Sequence, residues 1–356
     1  MTDDLTLTAN GRTLSGWEDI SVRLLAEGFP PSFDINLSSR DPATGASEIV
    51  RPGDACQVAL GGDTVITGYI DRVAVSVGPE AHVIRVQGRG KTQDLVDCAA
   101  EWPGGQISGA NALEIATKLA SAYGVNVVMA AGADPGPQVP QFLLTYGETG
   151  ADIIQRVCRA AGLLAYEDGK GRLVLGRVGA STAASGIVYG GNAEAATVQL
   201  SMDQRYSEYV CALLSQDLLL DIGGAGFFFD TETDSGVPRH RRMYLVMEQV
   251  ATDPQAFTIS KARWERSRRQ GRGTTVSATV DSWRDKAGAL WMPNTLAPVA
   301  LPGLPDGSSP LCISEVSFRR GEDGTHADLL LLPPTAFTPE PLVLQPVNLS
   351  DIAPSP

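Results

Sequence analysis

The sequence predicts a mainly β fold in which two similar small β-barrel domains flank a compact α+β module. Three observations carry this expectation. Short segments in the first and last thirds of the chain alternate apolar and polar residues with the two-residue period of half-buried strands. The middle third changes to a helical period. The first third can also be laid over the last, Asp34 on Thr275, and share its apolar pattern.

Residues 1–97 are read as the first barrel. Thr6-Leu7-Thr8, Ile20-Ser21-Val22-Arg23 and Phe33-Asp34-Ile35-Asn36-Leu37 alternate as strands with one buried face do. Cys56 to Leu60, Val65 to Val75 and His82 to Gln87 continue the pattern. Turn formers interrupt it at Arg51-Pro52-Gly53-Asp54, Gly61-Gly62-Asp63 and Gly78-Pro79. Five or more short strands with regular turns suit a barrel or sandwich.

Residues 98–180 are read as the α+β module. From Asn111 to Tyr123, one helical face carries Leu113, Ile115, Ala116, Leu119 and Ala120, and Gly124 is placed to end the helix. A second helix starts at Thr149, with Asp152 three residues on as the other half of a capping box. It buries Ile153, Ile154, Val157, Cys158 and Ala161 and stops at Gly162. Glu167-Asp168-Gly169-Lys170-Gly171 between two apolar runs predicts a hairpin.

Residues 181–335 return to strands and form the second barrel. A helical insertion near 253–270 begins with Asp253 as N-cap and Pro254 at the first helical position. The stretch from Pro333 to the end holds seven prolines in 24 residues. Proline removes backbone donors, so residues 336–356 are expected to be an extended tail.

The repeat is aligned as follows. Asp34 to Leu60 lies over Thr275 to Leu301 without a gap, and Val58-Ala59-Leu60 meets Val299-Ala300-Leu301 identically. Two residues of insertion bring Tyr69-Ile70-Asp71-Arg72-Val73 over Cys312-Ile313-Ser314-Glu315-Val316, and one more brings His82 over His326. Chance likeness between β-rich segments is one account. The other is two copies of one barrel, which threefold closure turns into six similar units in a ring.

Composition narrows the function. The net charge of −13 opposes contact with nucleic-acid phosphates and argues against sequence-wide DNA binding. The five cysteines are scattered, with no Cys-x-x-Cys pair, as expected of core residues in a reducing compartment. No secretory leader or membrane span is expected.

Candidate chemistry is thin. Gly88-Arg89-Gly90-Lys91-Thr92 ends like a phosphate loop, but Arg85 stands where the leading glycine belongs. Asp230-Thr231-Glu232-Thr233-Asp234-Ser235-Gly236 looks like a calcium loop, yet its glycine is one place late and Arg241 stands at the twelfth position. The three histidines form no zinc motif, and no Gly-x-Ser-x-Gly elbow occurs. A glycosidase carboxylate pair has no fixed spacing, and none of the 41 acidic residues can be singled out. No catalytic residue, metal or cofactor is therefore expected.

One local oddity is a basic cluster. Nine of the 28 Lys and Arg residues fall between Arg239 and Arg272. They suit either a solvated helix face plus a loop or a patch that docks an acidic neighbour. As a candidate subunit interface the residues are Arg239, Arg241, Arg242, Arg263 and Trp264, because interfaces favour Arg and Trp together.

Several stretches resemble the Mu-like phage baseplate hub proteins, the 43 kDa tail protein or P protein group. They are Gly16-Trp17, Gly68-Tyr69-Ile70-Asp71, Gly88 to Cys98, Gly147-Glu148-Thr149, Gly171 to Leu175, Arg263-Trp264-Glu265 and Trp291-Met292-Pro293-Asn294. The resemblance covers nearly the whole chain; the proline-rich tail lies outside it. It implies a homotrimeric structural hub, related in fold to the T-even phage hub and VgrG-like hubs. Such a hub has two similar barrels per chain in a pseudo-sixfold torus. Its implied partners are the tail tube protein, the central spike protein and baseplate wedge proteins, with no specific nucleic-acid binding and no membrane insertion. Its implied place is the virion's tail baseplate, assembled in the host bacterial cytoplasm. Two alternatives stay open: a tail-associated cell-wall-degrading enzyme, and the hub of a phage-like secretion or bacteriocin particle.

Overall fold

Alternating burial builds the first segment. The computed structural model describes residues 4–38, 50–78, 82–102, 104–179, 181–214, 227–247, 254–304, 309–338 and 340–341. Strands β1 (Leu5–Ala9), β2 (Arg12–Leu14), β3 (Asp19–Leu25), β4 (Ser32–Ser38), β5 (Ala55–Leu60), β6 (Asp63–Val77) and β7 (His82–Gly90) follow in order. Leu5, Leu7 and Ala9 of β1, Ile20, Val22 and Leu24 of β3, and Cys56, Val58 and Leu60 of β5 all enter one core. Asn10 and Gly11 join β1 to β2 with φ of 52° and 73°, the backbone that a two-residue hairpin demands.

The middle segment has its own core. It contains α1 (Gln93–Asp97), β8 (Gln106–Ala110), α2 (Ala112–Ser121), β9 (Val127–Met129), β10 (Val139–Leu143), α3 (Gly150–Ala161), β11 (Leu164–Glu167) and β12 (Leu173–Gly176). Both long helices start with the reciprocal capping box, Asn111 with Glu114 and Thr149 with Asp152. Gly162 ends α3 in the left-handed conformation at φ 73°. Ile115, Leu119, Ile153, Ile154 and Val157 pack with Leu173 and Leu175 in a core separate from that of the large sheet.

The last segment supplies β13 (Ser181–Thr182), β14 (Ile187–Val188), β15 (Ala193–Leu200), β16 (Glu208–Leu214), β17 (Phe227–Thr233), β18 (Arg242–Met247), α4 (Pro254–Arg272), β19 (Thr274–Val280), β20 (Thr295–Ala297), β21 (Val299–Ala300), β22 (Leu311–Gly321) and β23 (Gly324–Leu332). A short 3-10 turn follows at Pro334–Phe337. Asp253, expected to cap α4, and the tail beyond Pro341 lie outside the described residues. Strands β16, β17 and β18 form a small sheet that carries α4.

The repeat is visible in the hydrogen-bond ladders. In the first copy the strand order is β3-β4-β7-β6; in the second it is β15-β19-β23-β22. The ladder of β6 on β7 is interrupted between Ile70 and Arg72, and that of β22 on β23 between Ile313 and Glu315. Ile70 thus corresponds to Ile313 and Arg72 to Glu315. Val75 lies opposite Ile84, which lies opposite Leu37; Phe318 lies opposite Ala327, which lies opposite Val280. One constant shift along the chain relates all of these positions.

Three details differ from the sequence alignment. The ladders place Ile35 over Ala278 rather than Val276, a slip of two that leaves the buried face unchanged. They place His82 over Thr325 rather than His326. The two expected barrels also do not close separately. Among the described residues β22 pairs with β3, joining both copies into one 13-stranded sheet with one shared core. An open edge on each copy is satisfied by the other, so neither needs to close on itself.

Phe318 lies on this junction opposite Val22, and both are fully buried. Trp283 stacks edge-on to Phe318 at 6.1 Å and donates its Nε1 hydrogen to Arg319 O and His326 O. Phe318→Ala is expected to lower stability by about 3–5 kcal/mol, read as a lower urea midpoint with an unchanged slope.

Candidate functional site

With one face of the large sheet committed to the core, the other presents paired charges. Arg23 on β3 donates to Glu315 on β22 at 2.5 Å. Arg85 and Gln87 on β7 both donate to Asp34 on β4. Arg89 bridges Asp71 and Asp97, each at 2.7 Å. Arg319 and Thr279 both donate to Asp328. The hydrogen bond from Arg85 holds the Asp34 carboxyl below its usual range, and that from Arg89 does the same for Asp97. Four guanidinium groups thus face five carboxylates, giving a surface that is polar yet close to neutral.

A buried carboxylate joins the sheet to the middle module. Glu167 on β11 accepts from the Lys91 and Thr92 backbone N–H groups, both at 2.9 Å, and from the Thr92 hydroxyl at 2.5 Å. Gly90 is required beside it, because a Cβ there would collide with the Glu167 carboxylate. The Lys91 ammonium donates to Gly124 O at 2.6 Å. The Gly90-Lys91-Thr92 loop does cradle an acidic group, but that group is a side chain of the same protein. Burial pushes the Glu167 carboxyl up to about 7, outweighing the three hydrogen bonds that favour its charged form. The motif residues are visible in the sequence; their acceptor, in a distant part of the chain, is not.

The calcium-like loop is closed in a similar way. Arg205 pairs with buried Asp234 at 2.8 Å, and Asp234 also accepts from Gly236 N.

The candidate interface residues occupy three settings. Arg241 donates to Asp203 O at 2.7 Å and lies over the Tyr206 ring, and Arg242 pairs with Glu208 at 2.6 Å. Arg239 is exposed. Arg263 reaches from α4 to Glu232 on β17 at 2.8 Å. Paired residues share a face of a sheet, so Glu232 lies with Tyr209 and Met243, while Glu208 lies with Arg242 on the opposite face. Arg242 and Arg263 are therefore not brought together. Trp264 donates its Nε1 hydrogen to Thr338 O at 2.9 Å, between Lys261 and Arg268. Lys261 pairs with Glu340 at 2.5 Å, and Arg268 and Arg272 both reach Glu27 in the β3–β4 connection. Much of the basic cluster thus ties α4 to the segment after β23 and to the first copy of the repeat.

Three family descriptions match separate parts of the chain. "Mu phage baseplate assembly protein GpP-like, N-terminal" matches residues 4–90, "Baseplate hub protein gp44-like, second domain" residues 92–177, and "Mu phage baseplate assembly protein GpP, fourth domain" residues 255–340. The baseplate hub protein gp44 of Escherichia phage Mu is 32% identical over 350 residues, 95% of this chain and 89% of that protein. The chain belongs to the Mu-type baseplate hub proteins. The same architecture recurs in solved relatives. The 43 kDa tail protein of prophage MuSo2 from Shewanella oneidensis superposes with a TM-score of 0.83 at 28% identity, covering 94% of this chain and 99% of that one. A tail protein from Neisseria meningitidis MC58 gives 0.77 at 22% identity, covering 96% and 99%.

The first two family matches in this hub chain meet at Lys91, beside the loop that holds Glu167. Glu167 therefore couples the two parts to pH. Its unfolded carboxyl ionises near 4.5 and its folded one near 7, so between these values the folded state holds the extra proton. Stability from this group is present below about pH 4.5 and is lost as pH rises through about 7, by an amount of order 3 kcal/mol. Glu167→Gln is expected to remove that decline from a series of urea unfolding curves across the same pH range.

Proposed function

We propose that this chain is the structural hub of a contractile phage tail baseplate. Three copies form a ring that joins the sixfold tail tube to the threefold central spike. The observation that carries the reading is the relationship to phage Mu gp44 over 95% of the chain. The duplicated four-strand unit supports it physically: three copies with two units each give six similar units, which matches a sixfold tube above and a threefold object below. The tail tube, the central spike and the baseplate wedge proteins are the proposed partners.

A structural role also fits the chemistry of the polar face. Arginine holds the carboxylates of Asp34, Asp71, Asp97, Glu315 and Asp328, and Asp34 and Asp97 stay below the usual carboxylate range. General acid catalysis needs a carboxyl raised toward neutrality, and among the described residues the raised one, Glu167, is 8% exposed. In the proposed ring the polar face lines the DNA conduit, where paired charges offer phosphates no net attraction. Arg242, on the side of β18 away from α4, and exposed Arg239, in the turn before β18, are proposed to meet a neighbouring subunit.

Light scattering on the purified chain is expected to give three times the 37.5 kDa chain mass. A monomer at all micromolar concentrations would sink the ring. Arg242→Glu is expected to shift the balance toward monomer if that side is an interface. A gel shift with duplex DNA at physiological salt is expected to show no complex; tight, salt-sensitive binding would point instead to a nucleic-acid function.

A further inference from the structure

Each copy of the repeat has a half that the other copy covers and a half left open. At the junction within the chain, β22 pairs antiparallel with β3: Glu315 opposite Leu25, Val316 opposite Leu24, Phe318 opposite Val22 and Arg320 opposite Ile20. The equivalent of β22 is β6, and the equivalent of β3 is β15. From Arg72 to Val77, β6 pairs with β7 along one edge; its pairing with β5 ends at Tyr69. Among the described residues, β15 has one sheet neighbour, β19. Among the described residues, two open strand edges thus occupy the places that form a closed contact elsewhere in the same chain.

The side chains repeat the point. Val316, Phe318 and Val22 are fully buried, and Leu24 and Ile20 nearly so. Their counterparts on the open edges are apolar yet in water: Val75, in the place of Phe318, is 42% exposed, and Leu200, in the place of Leu24, is 64% exposed, while Val77, in the place of Arg320, is 74% exposed. Val73 and Val198 are half-buried against the main core. Exposed apolar residues along an unpaired edge are an association surface unless something covers them.

We infer that β6 of one copy pairs with β15 of a second copy in the register of the β22–β3 junction. Strand β22 maps onto β6 with Phe318 on Val75, as the ladders on β23 and β7 require. Strand β3 maps onto β15 with Val22 on Val198. The reason is that Val22 lies opposite Phe33 and Val198 opposite Val276, and Phe33 and Val276 are equivalent in the two copies. The contact is therefore antiparallel, with Val73 opposite Leu200 of the second copy, Val75 opposite Val198, Ser76 opposite Thr197 and Val77 opposite Ala196. Val73, Val75 and Val77 meet Leu200, Val198 and Ala196 on the core face and extend it across the boundary. On the polar face Arg72 and Gln199 take the places of Glu315 and Arg23, so a guanidinium–amide contact replaces the ion pair. The contact is head-to-tail, and three such contacts close a ring of alternating copies. This inference rests on the trimer reading and adds to it the edges and the register.

Cysteine cross-linking tests it in the full-length chain, with exposed Cys98 changed to Ser. Neighbouring pairs in an antiparallel ladder alternate between hydrogen-bonded and non-hydrogen-bonded geometry, so two adjacent pairs are made. They are Val75→Cys with Val198→Cys, and Ser76→Cys with Thr197→Cys. The second uses only exposed positions, so it is available if the first disturbs folding. Mild oxidation is expected to convert at least one double variant into reductant-sensitive dimers and trimers on a denaturing gel. Single variants should yield no trimer, and Val75→Cys with Gln199→Cys, placed on opposite faces, should stay uncross-linked. If light scattering shows trimers but neither in-register pair cross-links, the strand pairing is wrong and the trimer stands. If the chain is monomeric throughout, the trimer reading falls and the pairing falls with it.

Discussion

The pairing of β22 with β3 organises this chain. It brings together strands from opposite ends of the sequence and makes one sheet out of two copies of a unit. Val22, Phe318, Val316 and Leu24 become interior because of it. Without it each copy would present an open edge on that side, with unpaired backbone groups and wet apolar side chains. The shared core and the pairing of Arg23 with Glu315 follow from that one ladder, and Trp283 packs against the Phe318 ring at the junction.

Two smaller fastenings hold the remaining parts to this frame. Glu167 secures the middle module through backbone amides of the loop after β7. The cations of α4 reach in two directions, to Glu27 beside β3 and to Glu340 beyond β23, with Trp264 seated on Thr338 O between them. Both fastenings join a charged group to a partner distant in sequence. Both therefore act on the arrangement of modules rather than on the folding of any one of them.

Local pattern makes much of this legible, and pairing between distant residues does not show in it. The alternation at Leu7, Ile20 and Val58, the capping boxes at Asn111 and Thr149, and the terminating Gly162 are local, and each lies where expected. The repeat is legible too. Its register is right for the start of β5 and for β6, where Ala55 lies opposite Tyr69 as Leu296 lies opposite Cys312. It is two residues off in β4 because a strand pattern of period two cannot detect a slip of two. It is one off at His82, where matching two histidines outweighs the ladder. Separate barrels are the natural expectation because a single sequence shows that a strand has an edge, not what covers it. For the same reason the basic cluster is visible as a cluster while its partners Glu27, Glu232 and Glu340 are not.

The two copies of the unit differ most in what their connections carry. Between β3 and β4 the chain needs only the short run 26–31; between the equivalent β15 and β19 it inserts β16, β17, β18 and α4. The first copy is followed instead by the α+β module. Duplication followed by unequal insertion lets one polypeptide hold a repeated frame constant while its ornaments alternate. In a ring of the proposed kind, the side made by the sheets presents six near-identical faces, and the side made by the insertions presents two kinds of feature three times each. The reduction from six to three is then written into loop length, and the strands that carry the frame need not deform to accomplish it.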